Sequence, residues 1–195
     1  MRKIVFYPNE ILRVETKDIN SVDEKLQVDV DELMWALQKE KDHAAGLAAV
    51  QVGLDRRFFG LVTGQKRNLQ IFINPRVVKT FGQKLRPIMT FDDGAQEDFL
   101  EGCLSFPGLF GTVKRYLRIE AEWEELKNKK LERKSKVLEG IEAIAYQHEL
   151  DHLNGILFID HIKEEGGELY MWEGDRKKRV DINQVVEEEI KYGKK

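Results

Sequence analysis

The sequence predicts an α+β fold in which antiparallel sheets pack around one helix, the helix carrying His148 and His152, with a second helix outside. Three observations predict it. Val22, Leu26, Val30, Leu33, Met34 and Leu37 recur at helical spacing, as do Ile141, Ile144, Ala145, His148 and His152. Leu117, Ile119, Ala121 and Trp123 alternate with charged residues, the pattern of a half-buried strand. Lys127-Asn128-Lys129-Lys130 reads as a turn, and the mostly polar Leu131–Val137 returns as the partner strand.

In chain order, residues 1–20 read as an extended arm with a turn at Pro8-Asn9. Ser21-Val22-Asp23-Glu24 has the form of a capping box, opening a helix that runs to about Lys41. Ala44 to Gly53 is rich in small residues, which let a backbone approach another chain or a ligand closely. Phe58–Val62 and Leu69–Ile73 read as strands, the second ended by Asn74-Pro75, with Arg76–Phe81 as another short strand. Residues 82–98 read as a loop. After the motif helix, Leu169–Trp172 reads as a short strand within a highly charged C-terminal segment.

At 195 residues the chain is expected to form a single domain, 1–195, with a charged extension from about 163. The net charge of −3, with basic and acidic residues interspersed, argues against a chain-wide nucleic-acid footprint. No stretch is apolar enough for a membrane span, and the N-terminus resembles neither a signal peptide nor a transit peptide. One cysteine, Cys103, allows no internal disulfide, which fits a reducing compartment.

His148-Glu149-Leu150-Asp151-His152 is H-E-x-x-H. On a helix the two imidazoles stand one turn apart on one face, where they can hold one metal ion. The glutamate beside them can serve as general base for a water activated by that ion. A catalytic ion usually has a third protein ligand. A third histidine at the position found in some metalloproteases is missing, because Phe158 stands there and His161 lies three residues too far along. Glu164, Glu165 and Glu168 are downstream carboxylates in a hydrophilic stretch that reads as a solvated loop. The remaining candidate is Cys103, in Glu101-Gly102-Cys103-Leu104-Ser105.

Three segments then occur in an order that resembles the peptide deformylases: Gly46-Leu47-Ala48-Ala49-Val50-Gln51, Glu101-Gly102-Cys103-Leu104-Ser105 and Gln147-His148-Glu149-Leu150-Asp151-His152. Tyr7 to Arg13 and Leu153 to Asp160 also resemble the family, so the similarity spans roughly 4–161. The resemblance implies metal ligands Cys103, His148 and His152 for one divalent ion, Fe2+ in the cell, with Zn2+, Ni2+ or Co2+ able to take the same site. It implies hydrolysis of the N-formyl group of N-formylmethionyl nascent peptides in the cytoplasm, with the ribosome near its exit tunnel as a further candidate partner. Glu149 is then the general base, and the Gln51 side-chain amide and the Leu104 N–H are the donors to the formyl oxygen. Ile141, Ile144 and Ala145 precede His148 at helical spacing and suit a methionine side chain, while Ala45 and Gly46 border an extended peptide.

Two positions depart from the family pattern. Ala44 replaces a usual glycine, and Phe110 stands where an arginine often contacts the substrate backbone, with Arg115 the nearest arginine that could reach the same space. A phenylalanine offers no donor there, which predicts a high KM for short formyl peptides. H-E-x-x-H by itself also fits a zinc endopeptidase, against which the missing third histidine and the three-segment match count, and a catalytically inactive binding module on the same fold is disfavoured by the presence of Cys103, His148, His152, Glu149 and Gln51.

Overall fold

The computed structural model describes residues 2–173 and 176–185. Its α-helices include α1 Glu24–Glu40, α2 Gly140–Leu153 and α3 Phe158–Glu165. The strands are β1 Gly46–Ala48, β2 Phe58–Thr63, β3 Asn68–Phe81, β4 Ile88–Thr90, β5 Gln96–Asp98, β6 Glu101–Cys103, β7 Phe106–Gly111, β8 Arg118–Lys127, β9 Lys130–Glu139, β10 Leu169–Glu173 and β11 Arg176–Val180. They form one sheet in the order β1-β2-β3-β8-β9, a second in the order β11-β10-β7-β6, and the hairpin β4-β5. Every strand pairing among the described residues is antiparallel, as the α+β expectation requires. No described helix is long and apolar enough to cross a membrane.

The inner part of the first sheet, β2 above all, is buried on both faces. On β2, Phe58 joins the cluster under α1, with Leu26, Leu33 and Leu37, and Phe59 joins the one under α2, with Ala143, Tyr146 and Leu153. Successive strand residues point to opposite faces, so the run Phe58-Phe59 serves two cores at once. A third cluster gathers Leu12, Leu109, Phe158, Ile162 and Leu169, joining the N-terminal arm, the second sheet and α3. The β8–β9 turn is a two-residue hairpin loop, with Asn128 and Lys129 both at positive φ (51° and 59°) and Lys127 paired to Lys130.

Several boundaries differ from the sequence expectation. The cap of α1 is Asp23, whose Oδ1 accepts from the Leu26 N–H at 2.6 Å, and not Ser21; Asp23 immediately precedes the first helical residue, and its charge suits the positive helix end. The N-terminal arm is not wholly extended, because Glu10–Arg13 forms a 3-10 turn capped by Asn9 that buries Leu12. Asn74-Pro75 does not end a strand. It sits in a register shift within the continuous β3, where Asn74 adopts φ 49° and binds the Ile19 backbone through its side chain. The expected loop 82–98 contains the β4–β5 hairpin. The expected strand Leu169–Trp172 is β10, which pairs with β7 through Leu169, buried against the third core. The last part of the charged extension, 186–195, lies outside the described residues.

The β3 irregularity is what seats α2. The Tyr146 hydroxyl accepts from the Arg76 N–H (3.1 Å) and donates to the Glu122 carbonyl (2.9 Å), bridging β3 and β8 where the ladder is broken. Burial pushes this phenol well above its ordinary pKa, so it stays a donor. Tyr146→Phe is expected to lower unfolding free energy by about 1–3 kcal/mol, because it removes the hydroxyl's two hydrogen bonds, to the Arg76 N–H and the Glu122 carbonyl, at ~0.5–1.5 kcal/mol each. Urea unfolding checks this; an unchanged midpoint would show that the hydroxyl does not anchor the helix.

Candidate active site

A cavity of about 620 Å3 opens between two free strand edges, in the size range of small-ligand sites. β1 ends the first sheet and β6 ends the second, and both border the cavity, with α2 between them. Gly46 at the start of β1 and Ala45 just before it line one side, Leu104 and Phe110 the β6–β7 side, and Ile144, Ala145, His148 and Glu149 the α2 side. Ile141 reaches it only from the rim, where it is 64% exposed, because it lies in the first turn of α2 as the helix leaves the strands. The helix α2 thus buries two faces: Ile144, Ala145 and His148 of the expected stripe face the cleft beside Glu149, while Ala143, Tyr146 and Leu153, outside that stripe, face the sheet.

Cys103, His148 and His152 come together, each offering one ligand atom, all within 4.8 Å of one another. Cys103 Sγ lies 3.3 Å from His152 Nε2. A thiol and two imidazoles form a donor set suited to a borderline or soft divalent ion. His148 Nδ1 lies 2.9 Å from Glu101 Oε2, which commits that nitrogen as a donor and leaves Nε2 for an ion. Glu149 Oε2 is buried with no hydrogen-bond partner among the described residues, an acceptor aimed at a site where a water or substrate group fits.

Burial pushes Glu149 up to about 7, against the downward pull of His148. Burial also lowers His152, and the His148 charge lowers it further. His148 goes the other way: burial opposes its charge, but Cys103 and Glu101 hold it well above the ordinary histidine range.

Two surrounding features fix this geometry. Gln51 Oε1 accepts from the Ala48 N–H (2.8 Å), so its amide nitrogen points at Cys103 Sγ (3.4 Å) and Ser105 Oγ (3.2 Å). At Gly46 a Cβ would lie 2.7 Å from both Cγ and Oε1 of Glu149, so a larger residue would displace the carboxylate. The small-residue stretch therefore makes room for a functional side chain as well as for the core.

The sequence showed no role for the groups that hold Glu101 and Asp151. Arg115, 3% exposed, donates through Nε to Glu101 Oε1 (2.7 Å) and through its terminal nitrogens to Glu101 Oε2 (2.9 Å) and Asp151 Oδ2. Burial would raise Glu101, but Arg115 and then His148 outweigh it and hold the carboxyl at about 2. Arg115 is turned away from the position at Phe110 and does not replace an arginine there. His161 points at Asp151 Oδ2 (2.8 Å), outside the ligand cluster. Glu164 and Glu165 belong to α3, not to a loop; Glu165 pairs with Lys84 and Glu168 with Arg179, so none joins the cluster. Only Glu101 had a local signal, as part of the cysteine motif; nothing in the spacing of Arg115 or His161 marks them.

A family model described as polypeptide deformylase matches residues 1–167. The peptide deformylase of Borreliella burgdorferi is 34% identical over 165 residues, covering 84% of this chain and 88% of that protein. The crystal structure of peptide deformylase from Thermotoga maritima superposes with a TM-score of 0.68 at 31% identity, covering 83% of this chain and 97% of that one. Plasmodium falciparum peptide deformylase, solved in complex with an inhibitor, gives 0.67 at 32%, covering 84% and 90%. With the family model spanning most of the chain and the thiol, two imidazoles and glutamate gathered at one cleft, the chain belongs to the peptide deformylase family.

Proposed function

We infer that this chain hydrolyses the N-formyl group from the formylmethionyl start of newly made polypeptides, releasing formate. The observation that carries the reading is the Cys103–His148–His152 cluster beside the Glu149 carboxylate, in a cleft between two free strand edges.

The ligands in this reading are Cys103, His148 and His152, and the ion is Fe2+ in the cell; thiolate and imidazole donors also accept Zn2+, Ni2+ or Co2+. When bound, the ion supplies Lewis-acid activation of water and of the formyl carbonyl. Glu149 receives the water proton and delivers it to the leaving amine, a shuttle suited to a carboxyl held near neutral pKa by burial. Gln51 Nε2 and the Leu104 N–H donate to the formyl oxygen as charge builds there. Ala45 and Gly46 pair with the peptide backbone as an added strand would, with the edge of β6 opposite. Ile144 and Ala145, with Ile141 at the rim, take the methionine side chain. Nascent chains emerging at the ribosome supply the substrate, which puts the work in the cytoplasm.

The test is formate release from formyl-Met-Ala-Ser by anaerobically prepared, iron-loaded protein. Turnover without cleavage of casein is expected. Casein cleavage without formate would favour an endopeptidase, and neither activity would favour an inactive binding module.

A further inference from the structure

We propose that the β10–β11 hairpin extends the substrate cleft with an aromatic strip, Phe110–Tyr170–Trp172, that holds an apolar segment of the peptide downstream of its first three residues. The proposal rests on the deformylase reading and names a part of its substrate.

The hairpin lies beyond the residues that match the family model, which end at 167. It nevertheless pairs with β7, the strand that supplies Phe110 to the cleft. Side chains directly opposite in an antiparallel pair share a face. Gly102 is opposite Phe110, and Phe110 is opposite Tyr170. Trp172, two residues along β10, is on the same face as Tyr170. At Gly102 a Cβ would lie 2.7 Å from the Phe110 ring, so the ring lies over the residue next to Cys103. From there the strip leads away from the ligand cluster, with Phe110 and Tyr170 half-buried and Trp172 48% exposed.

The charges on this face are already paired, which favours an apolar occupant over an acidic one. Arg179 pairs with Glu168 at 3.1 Å, and Glu168 also accepts from the Tyr170 hydroxyl. Lys177 lies 3.7 Å from Glu97 on β5 and 4.8 Å from the centre of the Tyr170 ring. The Lys177–Glu97 pair ties the hairpin to the segment that leads into Phe99 and Leu100, which line the cleft on its β6 side. Tyr170 is on β10, two strands in from the β6 edge, so it stands ~10 Å from that edge, about three residues of extended peptide at ~3.3 Å each; a peptide that leaves the edge across Phe110 meets the hairpin from about its fourth residue.

The experiment compares kcat/KM of the iron-loaded, full-length protein on formyl-Met-Ala-Ser, formyl-Met-Ala-Ser-Leu-Leu and formyl-Met-Ala-Ser-Ser-Ser. The leucine pentapeptide is expected to exceed the serine pentapeptide by about tenfold, the effect of partly burying one leucine side chain. That preference should fall to about twofold or less in Tyr170→Ser/Trp172→Ser, and by an intermediate amount in Trp172→Ser, whose exposed position spares the fold. The tripeptide ends short of the hairpin, so its rate reports whether each variant is folded. No leucine preference in the wild type, or one undiminished in folded variants, would overturn the proposal. Failure of the wild type on all three peptides would instead overturn the deformylase reading, and the strip with it.

Discussion

Glu149→Gln is expected to retain the metal and lose ~10² to 10⁴ of turnover, the usual contribution of a positioned acid–base group. The substitution is nearly isosteric, which matters at this position. Glu149 is 4% exposed and packed against Gly46, where no space for a larger group exists. Glutamine keeps that packing and leaves Cys103, His148 and His152 untouched. It removes only the ability to take a proton. Turnover should fall in kcat rather than KM, because proton transfer is felt in the transition state and not in ground-state binding. Metal content measured alongside the rate separates this from loss of the ion. Near-normal turnover in the metal-loaded variant would remove Glu149 from the general-base role.

Cys103→Ala is expected to lose the ion and, with it, essentially all activity. Removing even an outer partner of a ligand typically costs 10- to 100-fold in metal affinity, so removing a ligand should cost at least ~100-fold. The fold should survive, because Cys103 is only half-buried at the end of β6 and is not among the largest core residues. The Gln51 side chain also stays oriented, since its Oε1 is held by the Ala48 N–H and not by the thiol. Elemental analysis of protein purified under identical conditions is the measurement. Unchanged stoichiometry with unchanged activity would exclude Cys103 as a ligand.

The features written in contiguous residues were legible without coordinates. The i, i+4 spacing of His148 and His152 puts both imidazoles on one helix face, because one turn takes 3.6 residues. The alternation through Trp123 and the turn at Asn128-Lys129 defined the β8–β9 hairpin for a similar reason: period and turn chemistry are local. Cys103 became a candidate ligand as the only cysteine in a family-like motif, not through any spacing to the histidines. Where local signals conflicted with packing, packing won. Asn74-Pro75 reads as a strand end, yet β3 continues through it, because the Tyr146 hydroxyl accepts from the Arg76 N–H at the irregularity and the Asn74 side chain ties the bend to the Ile19 backbone.

The tertiary structure alone decided how the site is held and bounded. Arg115 reaches Glu101 and Asp151 from a loop after β7, and nothing in its own neighbourhood in sequence reports those partners. The cleft lies between edges of two different sheets, and the β10–β11 hairpin adds to one of those sheets from the far end of the chain. Such pairings leave no periodic trace. They exist because distant segments bury apolar surface together, and a buried charge or strand edge then takes whatever partner the folded chain brings within hydrogen-bond reach.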